Sequence, residues 1–175
     1  MKSRRIRPKE TKGIHAHVTP EAFTVGEGLL HLPLDKKGNI KVGVPHPFSF
    51  LLLKLFAYRD RRNDEKKEFG RYHAFDLYRI VAMMTEEDFA ESEDFRDRYI
   101  DDPIVVEART IVGEHFLDAD SEGAIAILEH IATMGSDLTR DDVAAFLDDL
   151  RTFFPSHEDR TDSSEALKSR RRRGA

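Results

Sequence analysis

The sequence contains no cysteine and no long uninterrupted apolar run. Without cysteine the chain forms no disulfide and no thiolate metal site. The longest apolar stretch, residues 48–58, is interrupted by Ser49 and Lys54 and is far too short to span a bilayer. Basic residues follow Met1, but the apolar segment of a secretory signal does not. We therefore expect a cytoplasmic protein without a membrane partner, built as one domain with a modest core.

The charge of the chain is unevenly distributed. Asp and Glu outnumber Lys and Arg by 33 to 28, yet residues 1–12 hold six bases and residues 168–173 hold five. The rest of the chain therefore carries about 15 more acids than bases. Such an acidic body repels phosphate backbones, so we predict nucleic-acid contact only through the basic tails. Residues 1–14 are interpreted as a flexible basic arm and residues 156–175 as a disordered tail.

Between the tails, the hydrophobic pattern predicts an α+β fold that is mostly α. Residues 15–46 contain short β-like pieces around a turn cluster, which favours a hairpin or a sheet fragment. Residues 47–155 show helical periodicity and predict a domain of about five to six helices. The first of these is apolar on nearly every side, as expected of a central helix. The predicted helices begin at Pro47, at Tyr72, after the N-cap Thr85, at Pro103, at about Glu122, and after Thr139.

The first two predicted helices each carry one lone charge in an apolar segment. These charges are Lys54 and Asp76, and a short charged loop, residues 60–70, makes the helices antiparallel neighbours. Burying either charge without a partner is costly, so we predict that the two face each other or a polar cleft. His73 and Arg61 extend this polar seam. A structural ion pair that fixes helix register and a ligand-contacting pair both remain open.

Two segments around these charges resemble a known family. In residues 44–62 a Val-Pro strand end precedes a helix that carries Lys-Leu-x-Ala with Lys54. Residues 72–78 contain Asp-Leu-Tyr with Asp76. These segments resemble the third and fourth motifs of the AbiEii-type nucleotidyltransferases, a family of abortive-infection toxins from toxin–antitoxin systems. The similarity covers roughly 45 residues of the family's C-terminal portion, and His73 stands where the family has an Asp.

The resemblance implies roles for four side chains. Lys54 and Asp76 correspond to catalytic positions, with Lys54 facing phosphate and Asp76 orienting it or acting as acid or base. Arg61 and His73 correspond to positions that border the bound nucleotide. The parent enzyme would use Mg²⁺ and a nucleoside triphosphate.

The motifs that supply the metal site in that family are missing before Lys54. They are a Gly-Ser turn, which holds phosphates, and an Asp-x-Asp pair, which binds Mg²⁺. The segment before Lys54 contains neither, and Asp35 is its only Asp. Gly135-Ser136 lies far downstream at a predicted helix start. We therefore expect a helical half that is inactive and has no cofactor of its own. It would come from a truncated gene, pair with a catalytic N-terminal half or an antitoxin-like protein, or be a derivative kept for binding.

Two further functions are compatible with the sequence. One is a helical protein-interaction module that uses its acidic body or its basic tails. The other is a weak EF-hand-like calcium site in residues 118–129, where the carboxylates have suitable spacing. Asp118 and Asp120 also serve well as acidic residues before a helix N-terminus. The candidate calcium ligands are Asp118, Asp120, Glu122 and Glu129.

The N-terminal β region contains four scattered histidines. We expect them to be solvated or to lie at strand edges, and a metal cluster among them stays open. They are His15, His17, His31 and His46.

Overall fold

The computed structural model describes residues 4–6, 16–35, 37–64, 68–135 and 137–156. Two short antiparallel strand pairs precede six helices, which confirms the predicted α+β, mostly α fold. A single 3₁₀ turn, Pro20–Ala22, lies between the strand pairs. The elements are β1 (Arg4–Ile6), β2 (Ala16–Val18), β3 (Leu30–Pro33), β4 (Lys41–Val44), α1 (Pro47–Arg61), α2 (Glu68–Ala82), α3 (Glu86–Arg98), α4 (Pro103–His115), α5 (Glu122–Met134) and α6 (Arg140–Phe153).

The predicted flexible arm, residues 1–14, contains the strand β1, which pairs with β2 in antiparallel register. Strand pairing uses backbone N–H and C=O groups, so a segment rich in charged residues also forms it. The charge pattern of the arm did not indicate this strand. The other residues of the predicted arm lie outside the described residues, as does the predicted tail beyond Ser156.

Helix α1 is the centre of the helical domain. It packs against α2, α3, α4 and the 3₁₀ turn, as its all-round apolar pattern predicted. Pro47 occupies its first turn, where a missing N–H costs nothing. Its almost fully buried side chains are Phe48, Leu51, Leu52, Leu55 and Tyr58.

Capping residues fix the starts of two later helices. Thr85 begins α3 and forms a capping box with Asp88, as the sequence predicted. Thr139 begins α6 in the same way, with Asp142 as its partner. In each box the threonine hydroxyl accepts from the aspartate N–H, and the aspartate carboxylate accepts from the threonine N–H.

The predicted loop over residues 60–70 is too long. Helix α1 continues to Arg61, and α2 begins at Glu68 instead of Tyr72. The prediction assigned the charged residues of this segment to a loop. Helix ends that face solvent also accommodate charged residues, so the charge did not mark the helix boundary. Gly70 lets the two helices approach closely, because a Cβ there would lie 2.9 Å from the Cα of Arg62.

The start of α5 depends on Gly123. A Cβ at this position would lie 2.3 Å from Phe116 Cε1 and 2.6 Å from the carbonyl oxygen of His115. The ring of Phe116 is fully buried and has no room to move aside. Glycine therefore permits the close contact between the first turn of α5 and the end of α4.

None of the helices in the described part of the chain is both long enough and apolar enough to cross a membrane.

We predict that Gly123→Ala lowers the free energy of unfolding by about 1–3 kcal/mol, because the added methyl group overpacks a buried contact. Gly113→Ala is the matched control, since no atom lies within 4 Å of a Cβ built at that helical position. The control is expected to stabilise the protein by roughly 0.5–1 kcal/mol through helix propensity. Urea unfolding of both variants measures the difference. Equal effects from the two substitutions would contradict the packing argument.

Candidate functional site

Lys54 and Asp76 face each other across the interface of α1 and α2. The Lys54 ammonium donates to the Asp76 carboxylate with Nζ 2.6 Å from Oδ2. The predicted pairing is therefore present. The two side chains are 30% and 32% exposed, so the pair lies at the edge of the core and contributes at most about 1 kcal/mol to stability.

His73 and Arg61 lie close to this pair. Burial lowers the pKa of His73, and the positive charges of Lys54 and Arg61 lower it further. The negative charge of Asp76 raises it in part. The buried Nδ1 of His73 has no hydrogen-bond partner within the described part of the chain. Arg61 is exposed, and its guanidinium lies 3.4 Å from Asp64. The structure thus brings the four predicted site residues to one seam.

Lys54 and Asp76 also line a shallow pocket of about 260 Å³. Its other walls are mostly apolar, apart from Arg79. Lys54 has three N–H donors and gives one to Asp76, which leaves donors for a bound anion. Asp76 fixes the ammonium in place. The apolar lining consists of Phe50, Ile80 and Met83.

This pocket shares its apolar wall with a larger groove of about 660 Å³. The groove runs between the β3–β4 hairpin, the start of α1, the end of α2 and the start of α3. Leu30 and Val44 line it on the hairpin side, and Met84 lines it on the α2 side. Its opposite rim is acidic, with Glu87, Asp88 and Glu91. Sequence reasoning did not find this groove, because its lining comes from four separate elements.

His46 corrects the expectation of a solvated or strand-edge histidine. It is only 4% exposed and caps α1, with Nδ1 accepting from the N–H of Phe48 at 3.2 Å. Its ring stacks on Phe95 with centroids 4.7 Å apart. Nε2 lies 3.2 Å from a carboxylate oxygen of Glu91 but is not aligned for a hydrogen bond. Burial lowers the pKa of His46, although Glu91 and Asp88 raise it.

The sequence feature that could have predicted this cap is the position of His46 directly before Pro47, the first residue of the helix. Asn, Asp, Ser and Thr are the usual N-caps, so a histidine in that position does not stand out.

The candidate calcium ligands are spread along a turn and a helix. The Asp118 carboxylate accepts from the N–H of Asp120 at 2.9 Å, and α5 begins at Glu122, so the loop continues as helix. No group of three or more His, Asp or Glu side chains in the described ranges is placed to hold a metal ion. Three of the four carboxylates contact arginines: Asp120 with Arg140, Glu122 with Arg62, and Glu129 with Arg71.

Comparison of the chain with protein-family models, with curated proteins and with solved structures found no match. The resemblance of the Lys54 and Asp76 segments to the AbiEii-type motifs therefore stays a prediction. It depends on the local motifs and on the geometry of the seam.

The seam predicts how His73 titrates. Lys54→Met removes a nearby positive charge and is expected to raise the pKa of His73, because protonation then meets less repulsion. Asp76→Asn is expected to lower that pKa further, because among the described residues Asp76 is the group whose charge raises it. NMR titration of the imidazole signals measures both shifts.

Arg59→Met is the matched control for the His73 titration. Arg59 lies on the same helix, its side chain is also 30% exposed, and it contacts Asp60 and Glu107 instead of the seam. We expect no change in the pKa of His73 in this variant. Shifts of the same sign in Lys54→Met and Asp76→Asn would contradict the arrangement.

Proposed function

We propose that this chain is a nucleotidyltransferase-like protein of the AbiEii toxin type that retains the helical half and is inactive alone. The observation that carries the proposal is the Lys54–Asp76 contact at the edge of the groove, with His73 and Arg61 beside it. The same residues carry the motif resemblance. We place the protein in the cytoplasm, as part of a toxin–antitoxin system.

In this proposal each side chain of the seam has a defined task. Lys54 is the compact cation that contacts a nucleotide phosphate, and Asp76 orients its ammonium. Arg61 adds a second phosphate contact from the exposed end of α1, and His73 borders the nucleotide as a largely neutral ring. Carboxylates of a complete parent enzyme or of a complementing chain would hold Mg²⁺ and the triphosphate, because residues 1–53 contain no Asp-x-Asp.

The β3–β4 hairpin supports the need for a partner. Its register pairs Leu32 with Val42 and Leu30 with Val44, so alternating apolar side chains share one face. Leu30 and Leu34 are 61% and 66% exposed, and no third strand pairs with the hairpin among the described residues. Open edges and an exposed apolar face are typical of a surface that another chain covers. The occupant we propose is the catalytic half, which adds strands to this hairpin.

Titration with a nucleoside triphosphate and Mg²⁺ tests the retained half-site. We expect weak binding by calorimetry, reduced about tenfold or more in Lys54→Ala, because a charge-assisted hydrogen bond to phosphate is lost. Arg59→Ala, the equally exposed base on the same helix, is expected to bind like the parent chain. The proposal fails if millimolar triphosphate gives no heat, or if Lys54→Ala binds as the parent does.

A second candidate function, the helical protein-interaction module, is favoured by the same exposed hairpin face. A photo-crosslinking amino acid at Leu34 in the cell of origin distinguishes the two. We expect a crosslinked protein from Leu34 and none from Val106, an exposed apolar residue of α4. A partner with Gly-Ser and Asp-x-Asp motifs supports the nucleotidyltransferase half, and one without them supports the interaction module. Crosslinking from neither position, or equally from both, would contradict the use of this face.

A further inference from the structure

A separate pocket of about 520 Å³ lies at the other end of α1, where α1, α2 and α5 meet. It shares no lining residue with the groove or the pocket beside Lys54. Its walls combine ionised side chains with a small apolar strip. The lining includes Tyr58, Arg62, Arg71, Glu122, Ile125 and Glu129.

Tyr58 is the unusual member of this wall. Its side chain is 1% exposed, and its hydroxyl has no hydrogen-bond partner within the described part of the chain. Burial and the charge of Glu122 raise the pKa of Tyr58, so the hydroxyl stays protonated beside a carboxylate. Native proteins rarely leave a buried hydroxyl unpaired, and one in a pocket wall indicates a ligand that satisfies it.

Helix α5 presents one continuous face to the pocket. Four of its residues have the spacing i, i+3, i+4, i+7 and line the pocket: Glu122, Ile125, Ala126 and Glu129. Seven residues of helix separate the two glutamates by roughly 10 Å along the axis. The pocket therefore has a carboxylate at each end and an apolar strip between them.

The charges favour a cation as the ligand. Arg62 contacts Glu122 at 2.7 Å and Arg71 contacts Glu129 at 3.0 Å, each through one carboxylate oxygen. A carboxylate has about four acceptor sites, so each glutamate keeps capacity for another donor. About half of each glutamate side chain is exposed, against about a third of each arginine. Four carboxylates and two arginines line the pocket. The other two carboxylates, Asp64 and Asp120, contact Arg61 and Arg140, which lie outside the lining. The surrounding acidic body attracts cations.

We propose that this pocket binds a linear polyamine such as spermidine, in which short methylene runs join an ammonium group at each end to one between them. Glu122 and Glu129 accept hydrogen bonds from the terminal ammonium groups, and Ile125 and Ala126 contact the methylene chain between them. An ammonium group has donors only, so the Tyr58 hydroxyl acts as an acceptor from the end near Glu122. The spacing of the two glutamates selects a ligand with two separated charges over a simple amine.

Calorimetry with spermidine and the full chain tests the site. Experiments at about 0.15 M salt screen weak binding to the acidic surface. We expect saturable binding by the parent chain, and a loss of about tenfold or more in Glu122→Gln and in Glu129→Gln, since each removes a charged acceptor. Tyr58→Phe keeps the ring in the core and is expected to weaken binding severalfold. Butylamine, with one ammonium group, is expected to bind at least about tenfold more weakly than spermidine.

Glu107→Gln is the matched control, because this partly exposed glutamate contacts Arg59 on α1 far from the pocket. It is expected to bind spermidine like the parent chain. Three results overturn the proposal: no heat at millimolar spermidine, equal losses in Glu107→Gln and the two pocket glutamate variants, or equal affinity for butylamine. If Glu122→Gln does not fold, Glu129→Gln and Tyr58→Phe decide the outcome. Nucleotide binding through Lys54 is a separate measurement at a separate pocket, so the two proposals succeed or fail independently.

Discussion

Helix α1 carries apolar side chains around most of its circumference, and α2, α3, α4 and the 3₁₀ turn pack against it. Extensive burial leaves little free surface along the helix, so its basic residues Lys54 and Arg59 emerge between neighbouring helices. Each contacts a carboxylate of another helix there, and Arg62, just past the end of α1, does the same. The pairs are Lys54 with Asp76 on α2, Arg59 with Glu107 on α4, and Arg62 with Glu122 on α5. Both pockets that we interpret functionally open beside such a pair.

Periodicity and local chemistry were sufficient to predict much of this arrangement. The apolar pattern of residues 48–58 identified the central helix. Thr85 and Thr139 marked helix starts, because each caps its helix by pairing with an aspartate only three residues later. Lys54 and Asp76 were expected to meet because a short connection leaves two helices few ways to pack. The early start of α2 was missed, because its close contact with Arg62 appears only when both helices are in place.

Features that join distant parts of the chain were not predictable. The burial of His46 depends on Phe95 and Glu91, which come from α3. The pocket at the end of α1 has both Tyr58 and Glu122 in its wall, and no local pattern connects residues so far apart in sequence. The acidic spacing of residues 118–129 has a related limit. The sequence spacing fits a calcium-binding loop. In the structure its later positions belong to α5, and Glu122 and Glu129 contact Arg62 and Arg71.

The exposed hairpin face has a consequence for the life of the protein in a cell. An uncovered apolar face with open strand edges invites proteolysis and unwanted strand pairing. In the assembly proposed above, the catalytic half would shield this face. The amount of folded protein would then follow the supply of the chain that covers β3 and β4.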